Sequence, residues 1–425
     1  MMIKSLPIRR GDQEQLRRKS SSAYKPVQLL NARSSLWESL KEVFPISTDI
    51  LKDKFVTIIS SKRSGIFARE YRIAKTLIGR GSHVKILSWD REGRLPKFEN
   101  IEGIEIVNCG LVAPKIGKYF GLLMTYPIWW LYVFFYIRKD KAQIIQPENL
   151  FSIIPILLLK ISGDNRKIIY DLVDYVADSF RWPNSIRKIL DWFENYCLKF
   201  CDGVIVVDKR KQKLDSSHIR DIAEVTNCPE DLKDEFPVVK SKESFMIYYG
   251  GWLTETRGLT NLIDAIRNLD DVRLIVAGSG DYESKLKEQM LLNHNIEFLG
   301  QLTFNESLRI TAMTNLVFVF YDPAIRINRL ASPAKLFDAM MFGVPVMANS
   351  EAILVADAVL SGECGLVVPY HDIKGIRAAV TKLKNNPEIA DTYGKNGRKL
   401  FEMEYNWGIM GNRLIELYER VLCPK

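Results

Sequence analysis

The stretch NRLASPAKLFDAMMFGVPVMANS, residues 328–350, contains the pattern that decides the fold. Ser332 is predicted to cap a helix that runs from Ala334 to Phe342, with Pro333 at the first position, because a serine hydroxyl accepts a bond from a free first-turn amide and proline suits the first turn. The helix is expected to end at Gly343 in the left-handed conformation. Residues 344–348 are then predicted to form a short buried strand. A helix followed by such a strand is typical of an α/β protein.

The start of this helix is also a candidate anion site. The free amides and the positive dipole end of a helix N-terminus suit a phosphate group. Lys335 lies in the first turn, against the dipole preference, and a nearby anion would explain it. Asp338 follows one turn later, where a carboxylate suits the hydroxyl groups of a ribose. The alternative is an ordinary buried helix with a solvated lysine and aspartate.

Composition limits the class of protein and of partner. A chain of 425 residues is too long for one compact core, and 47% hydrophobic with 26% charged residues describes a globular protein of two domains. The net charge of +9 implies an anionic partner, which is a nucleic acid, a membrane surface or a phosphorylated substrate. The six cysteines lack metal-type spacing, so free thiols in a reducing compartment are expected and no metal site is predicted.

Strands and helices alternate along most of the chain. Apolar runs at residues 55–60, 83–88 and 203–207, and again at 245–249 and 272–277, are predicted strands of parallel sheets. The predicted organisation is a basic N-terminal extension without a signal peptide (1–50), a first domain (51–235), a second domain (236–405) and a helix that packs back as a clasp (406–425). The extension is expected either to be solvated or to contact anionic lipid headgroups.

The first strand leads into a turn that contains a single glycine, Gly65. A dinucleotide fingerprint needs three glycines, so nicotinamide and flavin cofactors are not expected. Ser64, Gly65 and Arg69 are predicted instead to line a cleft at the carboxyl end of the sheet.

Residues 119–137, YFGLLMTYPIWWLYVFFYI, carry no charge and could span a bilayer by their length. Pro127 in the middle of the run opposes a span, as do the α/β elements on both sides. Tryptophan and tyrosine suit the boundary between water and lipid. We expect an interfacial segment, with a buried helix or a span as the alternatives.

Four motifs, in this order and spacing, resemble family 4 glycosyltransferases of the GT-B fold. They are GGWLTETRGL (250–259), RLIVAGSGDYESKL (273–286), NIEFLGQLTFNE (295–306) and SPAKLFDAMMFGVPVMA (332–348). The resemblance covers almost all of the second domain and extends more loosely to the first. It implies two Rossmann-like domains that face a cleft, with the nucleotide-sugar on the second domain and the acceptor on the first.

The resemblance also implies roles for individual residues. Asp338 takes the position of the glutamate that contacts the ribose, whereas the family's other glutamate falls on Leu330. Of the family's two phosphate-binding cations, only the second carries over, as Arg257, because the first position is Trp252. Glu148 is left near the acceptor, where the family has a histidine. The remaining residues predicted to bind the donor are Gly251, Trp252, Gly278, Ser279, Gly280, Ser332, Pro333 and Leu336.

The function implied is transfer of a sugar from a UDP- or GDP-sugar, without a metal and with retention at the anomeric carbon. Arg257, Lys335 and the amides near Ser332 would stabilise the charge on the leaving diphosphate. The aromatic segment and the basic arm favour a saccharide or lipid-linked acceptor at an anionic membrane surface, on the cytoplasmic face. Three alternatives remain: a nucleotide-sugar epimerase, a non-catalytic partner in polysaccharide assembly, and a nucleic-acid binder, for which no recognition motif is present.

Overall fold

Two sheets form the framework of the chain. The computed structural model describes residues 50–61, 68–113, 119–179, 182–208, 219, 221–236 and 244–423. The predicted cleft residues Ser64 and Gly65, and the predicted basic extension, lie outside the described residues.

The first sheet has eight strands in the order β3-β4-β2-β1-β5-β6-β7-β8, and only β3 is antiparallel, to β4. The strands are β1 (Phe55–Ser60), β2 (His83–Trp89), β3 (Phe98–Ile101), β4 (Ile104–Cys109), β5 (Ile144–Pro147), β6 (Lys167–Leu172), β7 (Gly203–Val206) and β8 (Ile222–Glu224). Its helices are α1 (Ala68–Ile78), α2 (Tyr119–Lys139), α3 (Leu150–Ile161), α4 (Val176–Ser179) and α5 (Asn184–Leu198). The central strands β1, β5, β6 and β7 are buried along almost their whole length, as expected for a parallel sheet covered on both faces.

The second sheet is parallel throughout, with six strands in the order β11-β10-β9-β12-β13-β14. The strands are β9 (Phe245–Trp252), β10 (Val272–Ser279), β11 (Ile296–Phe298), β12 (Leu316–Val319), β13 (Val346–Asn349) and β14 (Gly365–Val368). The helices are α6 (Leu259–Ile266), α7 (Glu283–Leu292), α8 (Phe304–Met313), α9 (Arg326–Arg329), α10 (Ala334–Phe342), α11 (Ile353–Ser361), α12 (Ile373–Asn385) and α13 (Pro387–Met403). The chain order reverses beside β9, where ligands of open α/β sheets bind.

The last helix, α14 (Trp407–Leu422), returns from the second sheet to the first. The indole Nε1 of Trp407 donates to Thr76 Oγ1 of α1 over 2.9 Å, and the Tyr418 hydroxyl donates to the Gln146 side chain of β5. Apolar side chains of α14 fill the face of the first sheet that α1 also covers. The C-terminal helix is therefore part of the core of the first sheet.

The helix at the centre of residues 328–350 is α10, whose bounds agree with the prediction, whereas its capping residue does not. Pro333, with φ −81° and ψ 139°, is the capping residue, and no side chain caps the helix. The predicted serine cap is wrong because the extended backbone that precedes the helix includes Pro333, so Ser332 lies one residue too early. The predicted end is confirmed, since Gly343 has φ 64°.

The uncharged aromatic segment forms α2, with Pro127 inside the helix. One side of α2 packs on the first sheet through Tyr126, Trp129, Val133 and Ile137, which are at most 6% exposed. Among the described residues, no helix has the length and apolar character that crossing a membrane requires.

Candidate functional site

Two glycine-containing strand ends lie side by side at the carboxyl edge of the second sheet. Gly251 of β9 is opposite Gly278 of β10 in the parallel register, and both have φ +137°. A Cβ atom on Gly278 would lie 1.8 Å from the carbonyl oxygen of Gly251. Only glycine lets the two backbones approach this closely, so this edge is kept free of side chains.

Two cations from different elements meet beside this edge. The ammonium of Lys335, in the first turn of α10, lies 3.7 Å from the centroid of the Tyr249 ring and 3.5 Å from the Cβ position of Gly251. The guanidinium of Arg257 lies 4.4 Å from the Tyr321 ring centroid, and its Nη1 donates to Asn328 Oδ1 over 3.2 Å. The sheet edge and the helix start thus form one positively charged site.

The pKa of Lys335 reflects its burial and the charged groups around it. Burial, followed by repulsion from Arg257, holds the pKa of the lysine well below its ordinary value, whereas Asp338 acts in the opposite direction. A bound anion would replace this repulsion with attraction, so the site is built to favour negative charge.

Asp338 lies one turn further along α10 and is partly buried. Burial raises the pKa of its carboxyl group to about 7, against the attraction of Arg72 and then Lys335. Its Oδ1 atom is buried and has no hydrogen-bond partner among the described residues. Because Arg72 belongs to α1, this part of the site lies where the two sheets meet.

The other residues predicted to bind the donor differ in their contacts and in their burial. The Ser279 carbonyl accepts a bond from Leu253, and the Gly280 amide donates to the Glu283 side chain, so both hold the turn after β10. Trp252 is 65% exposed at the end of β9. Ser332 and Pro333 are half-buried beside the start of α10, whereas the Leu336 side chain packs in the core.

The first sheet has a separate cluster of charges at its carboxyl end. Ser60 Oγ lies 3.0 Å from a carboxylate oxygen of Glu148 and 2.9 Å from one of Glu70. Arg69 makes a two-point ion pair with Asp171, through bonds of 2.9 and 2.8 Å. Glu148 is 1% exposed and Arg69 is 3% exposed. Arg69 and Glu148, the two predicted cleft and acceptor residues that the structure describes, thus lie in one buried cluster.

Sequence reasoning missed the residues that hold the cations in place. Tyr249 and Tyr321 supply aromatic faces, and Asn328 fixes Arg257 while its Nδ2 donates to the Asp322 carbonyl over 3.0 Å. Tyr249 could have been noticed because it directly precedes the two glycines. Tyr321 and Asn328 had no comparable signal, since their role depends on the path of the chain after β12.

A second contact between the two halves lies at α9. Arg326 Nε is 2.9 Å from Asp178 Oδ1 of α4. These two residues line a cavity of about 20 Å³ together with Leu330, the position at which the resemblance placed a glutamate. The first carboxylate expected from the resemblance is therefore replaced by an apolar side chain next to an ion pair.

Two Rossmann-like sheets joined by a returning C-terminal helix define the GT-B class of glycosyltransferase folds. Residues 231–400 match the family described as glycosyl transferases group 1. The matched residues contain the cation site.

One curated relative and two solved structures are similar to the chain. It is 28% identical, over 39% of its length and 45% of the relative, to a GDP-mannose-dependent monoacylated alpha-(1-6)-phosphatidylinositol monomannoside mannosyltransferase of Corynebacterium glutamicum. The chain thus spans about half the length of this curated relative. Sucrose-phosphate synthase of Thermosynechococcus elongatus superposes with a TM-score of 0.68 at 19% identity, covering 87% of this chain and 99% of that one. HepE of Anabaena, solved with UDP and glucose, gives 0.59 at 14% identity, covering 86% and 99%. The two structural likenesses confirm the GT-B fold.

Proposed function

We propose that the protein is a glycosyltransferase that moves a sugar from a nucleoside-diphosphate sugar to a saccharide or lipid-linked acceptor. The observation that carries this proposal is the meeting of Arg257 and Lys335 beside the glycine edge of β9 and β10. Two cations that repel each other, next to backbone without side chains, suit a diphosphate in charge.

In the proposed reaction, the bond between the anomeric carbon and the diphosphate breaks, and a bond to an acceptor oxygen forms. Negative charge develops on the leaving diphosphate, where Arg257 and Lys335 stabilise it without a metal. The acceptor's proton passes to an oxygen of the leaving phosphate, which is the route that retention at the anomeric carbon implies. Asp338 holds the ribose hydroxyls, for which its partnerless Oδ1 and raised pKa give support.

The acceptor is proposed to lie at the inner face of the cell membrane. The Corynebacterium relative acts, by its name, on a phosphatidylinositol mannoside and uses GDP-mannose, whereas HepE was solved with UDP. Both nucleotides therefore remain candidates. The net charge of +9 further supports an anionic surface as a partner, and no nucleic acid is needed to account for it.

Calorimetric titration with UDP, GDP and their sugars tests the donor site directly. One nucleotide should bind, and Arg257→Ala and Asp338→Ala should each weaken it by more than about tenfold. The matched control is Arg273→Ala, because Arg273 pairs with Glu297 on the exposed surface of the same sheet. Binding should be unchanged by EDTA, since the cations are side chains.

The leading alternative is a non-catalytic partner with the same fold, which Trp252 in place of the family's arginine favours. Sugar hydrolysis or transfer from the donor that binds best separates the two, because a non-catalytic partner binds but does not turn over. If well-folded protein binds neither nucleotide, the proposed function is wrong.

A further inference from the structure

The side of α2 that faces away from the first sheet is apolar. Met124, Ile128, Leu131 and Phe135 are between 53% and 61% exposed, and their spacing of four, three and four residues places them in one stripe. The opposite stripe of the same helix is buried on the sheet. The helix is thus apolar on both sides, although only one side has a partner within the described chain.

The helix α5 repeats this arrangement, which the sequence did not reveal. Ile186, Ile189, Trp192 and Tyr196 are between 41% and 65% exposed and follow one another at helical spacing. The rings of Trp192 and Tyr196 are stacked with centroids 5.7 Å apart. A second apolar stripe therefore lies on the same layer of helices.

The helix α3 connects the two stripes. It packs against α2 on one side and α5 on the other, and all three helices share one core cluster on the same face of the sheet. Leu158 and Ile161 of α3 are 49% and 77% exposed. We call the exposed side of α2, α3 and α5 the outer face. It is one surface from three helices, whereas isolated exposed apolar residues are common on soluble proteins and need no partner.

Charge decides which partner fits the outer face. Arg138 and Lys139 end α2, Lys188 lies beside the stripe of α5, and Lys199 directly follows that helix; all four are exposed. These cations would repel a second copy of the same face but attract anionic headgroups. Tryptophan and tyrosine next to basic residues also suit the headgroup region of a bilayer.

We propose that the outer face docks on an anionic bilayer surface, with α2, α3 and α5 in contact with the interface. The inference deepens the proposed function, because it names the part of the chain that would bring an enzyme to a lipid-linked acceptor. It does not depend on transfer activity, and its test is independent of the donor site.

Co-sedimentation of the full chain with vesicles tests the proposal, using phosphatidylcholine alone and phosphatidylcholine with phosphatidylglycerol. The wild type should bind the anionic vesicles more tightly. Two double variants should each lower the partition coefficient by about tenfold or more, since each loses two large apolar side chains. They are Leu131→Ser with Phe135→Ser on α2, and Ile189→Ser with Trp192→Ser on α5. The matched control is Leu291→Ser with Leu292→Ser on α7, where the side chains are 81% and 74% exposed.

A further double variant, Arg138→Glu with Lys139→Glu, should weaken binding to anionic vesicles only. It keeps the test valid if a double serine variant does not fold. The proposal would be overturned if both double serine variants bound the vesicles as tightly as the wild type. It would also be overturned if residues 1–49 alone accounted for the binding. The proposal would also be overturned if the wild type did not bind vesicles but formed a dimer, seen by sedimentation velocity, that the double serine variants dissociate. Nucleotide binding, measured in parallel, reports on the proposed function alone.

Discussion

The ammonium of Lys335 lies 3.7 Å from the ring centroid of Tyr249, so a residue of α10 reaches across to the end of β9. Burial and Arg257 hold the pKa of this lysine well below its ordinary value. A bound diphosphate should raise that pKa again, because it favours the charged form. Nucleotide binding should therefore be accompanied by proton uptake at any pH between the pKa of Lys335 in the free and in the bound protein.

Calorimetry in two buffers of different ionisation enthalpy measures this uptake. In Lys335→Met the uptake should disappear and binding should weaken. The control, Lys285→Met, changes a lysine that pairs with Glu255 on the surface and should retain the uptake. Equal binding enthalpies in both buffers for the wild type would show that Lys335 is already protonated without ligand.

Asn328 is expected to act through Arg257. Its Oδ1 accepts from Arg257 Nη1, and a hydrogen bond to a charged group contributes about 1.5 kcal/mol or more. Asn328→Ala should thus weaken nucleotide binding by about tenfold in the wild type but by much less in Arg257→Ala. A double-mutant cycle by calorimetry measures the coupling. Additive losses would mean that Asn328 acts independently, and Asn396→Ala, on the surface of α13, serves as the control.

Asp338 should make stability depend on pH. Its pKa is about 7 in the folded protein and about 3.9 in an unfolded chain, so the folded state binds the extra proton between these values. The free energy of unfolding should fall as the pH rises from about 4 to about 7, by up to about 4 kcal/mol. Asp338→Asn should therefore be more stable than the wild type at pH 8, with the difference vanishing near pH 4.

Thermal unfolding across this pH range checks the prediction. Asp270→Asn, an exposed change in the same domain, should follow the wild-type profile. A constant difference between Asp338→Asn and the wild type at all pH values would contradict the shifted pKa.

Gly278 should tolerate no side chain. In Gly278→Ala the Cβ atom would lie 1.8 Å from the Gly251 carbonyl oxygen, so β9 and β10 must separate at the site. We expect a loss of more than about 3 kcal/mol and of nucleotide binding. Gly163→Ala is the matched control, because Gly163 also has a positive φ of 92° but open space around it, and should lose only about 1 kcal/mol. Similar melting temperatures for the two variants would contradict the close approach.

The helix α14 should stabilise the first sheet rather than the second. Leu417 is fully buried, and its side chain lies within 3.1 Å of the Cβ position of Gly203 on β7. Leu417→Ala leaves a cavity there and should lower stability by about 3 kcal/mol. Hydrogen exchange should show the loss in β6 to β8, whereas an equal loss in β9 to β14 would mean that the two halves unfold together.

Local patterns in the sequence determined the elements of this protein. The apolar runs of β1 and β10, the end of α10 at Gly343 and the paired glycine turns were all readable, because each depends on neighbours in the chain. The cap of α10 was misplaced by one residue, since serine and proline are both common near a helix start and only the backbone angles distinguish their positions.

The tertiary structure alone decided what surrounds each charged group. Arg69 was predicted to line the cleft and Glu148 to lie near the acceptor, but strands distant in sequence bury them with Asp171 and Ser60. Arg72 reaches Asp338 only because α1 and α10 come together where the sheets meet. The outer face likewise needs α2, α3 and α5 side by side. Burial and electrostatic interaction depend on distances in space, and residues far apart in the sequence do not encode those distances in any local pattern.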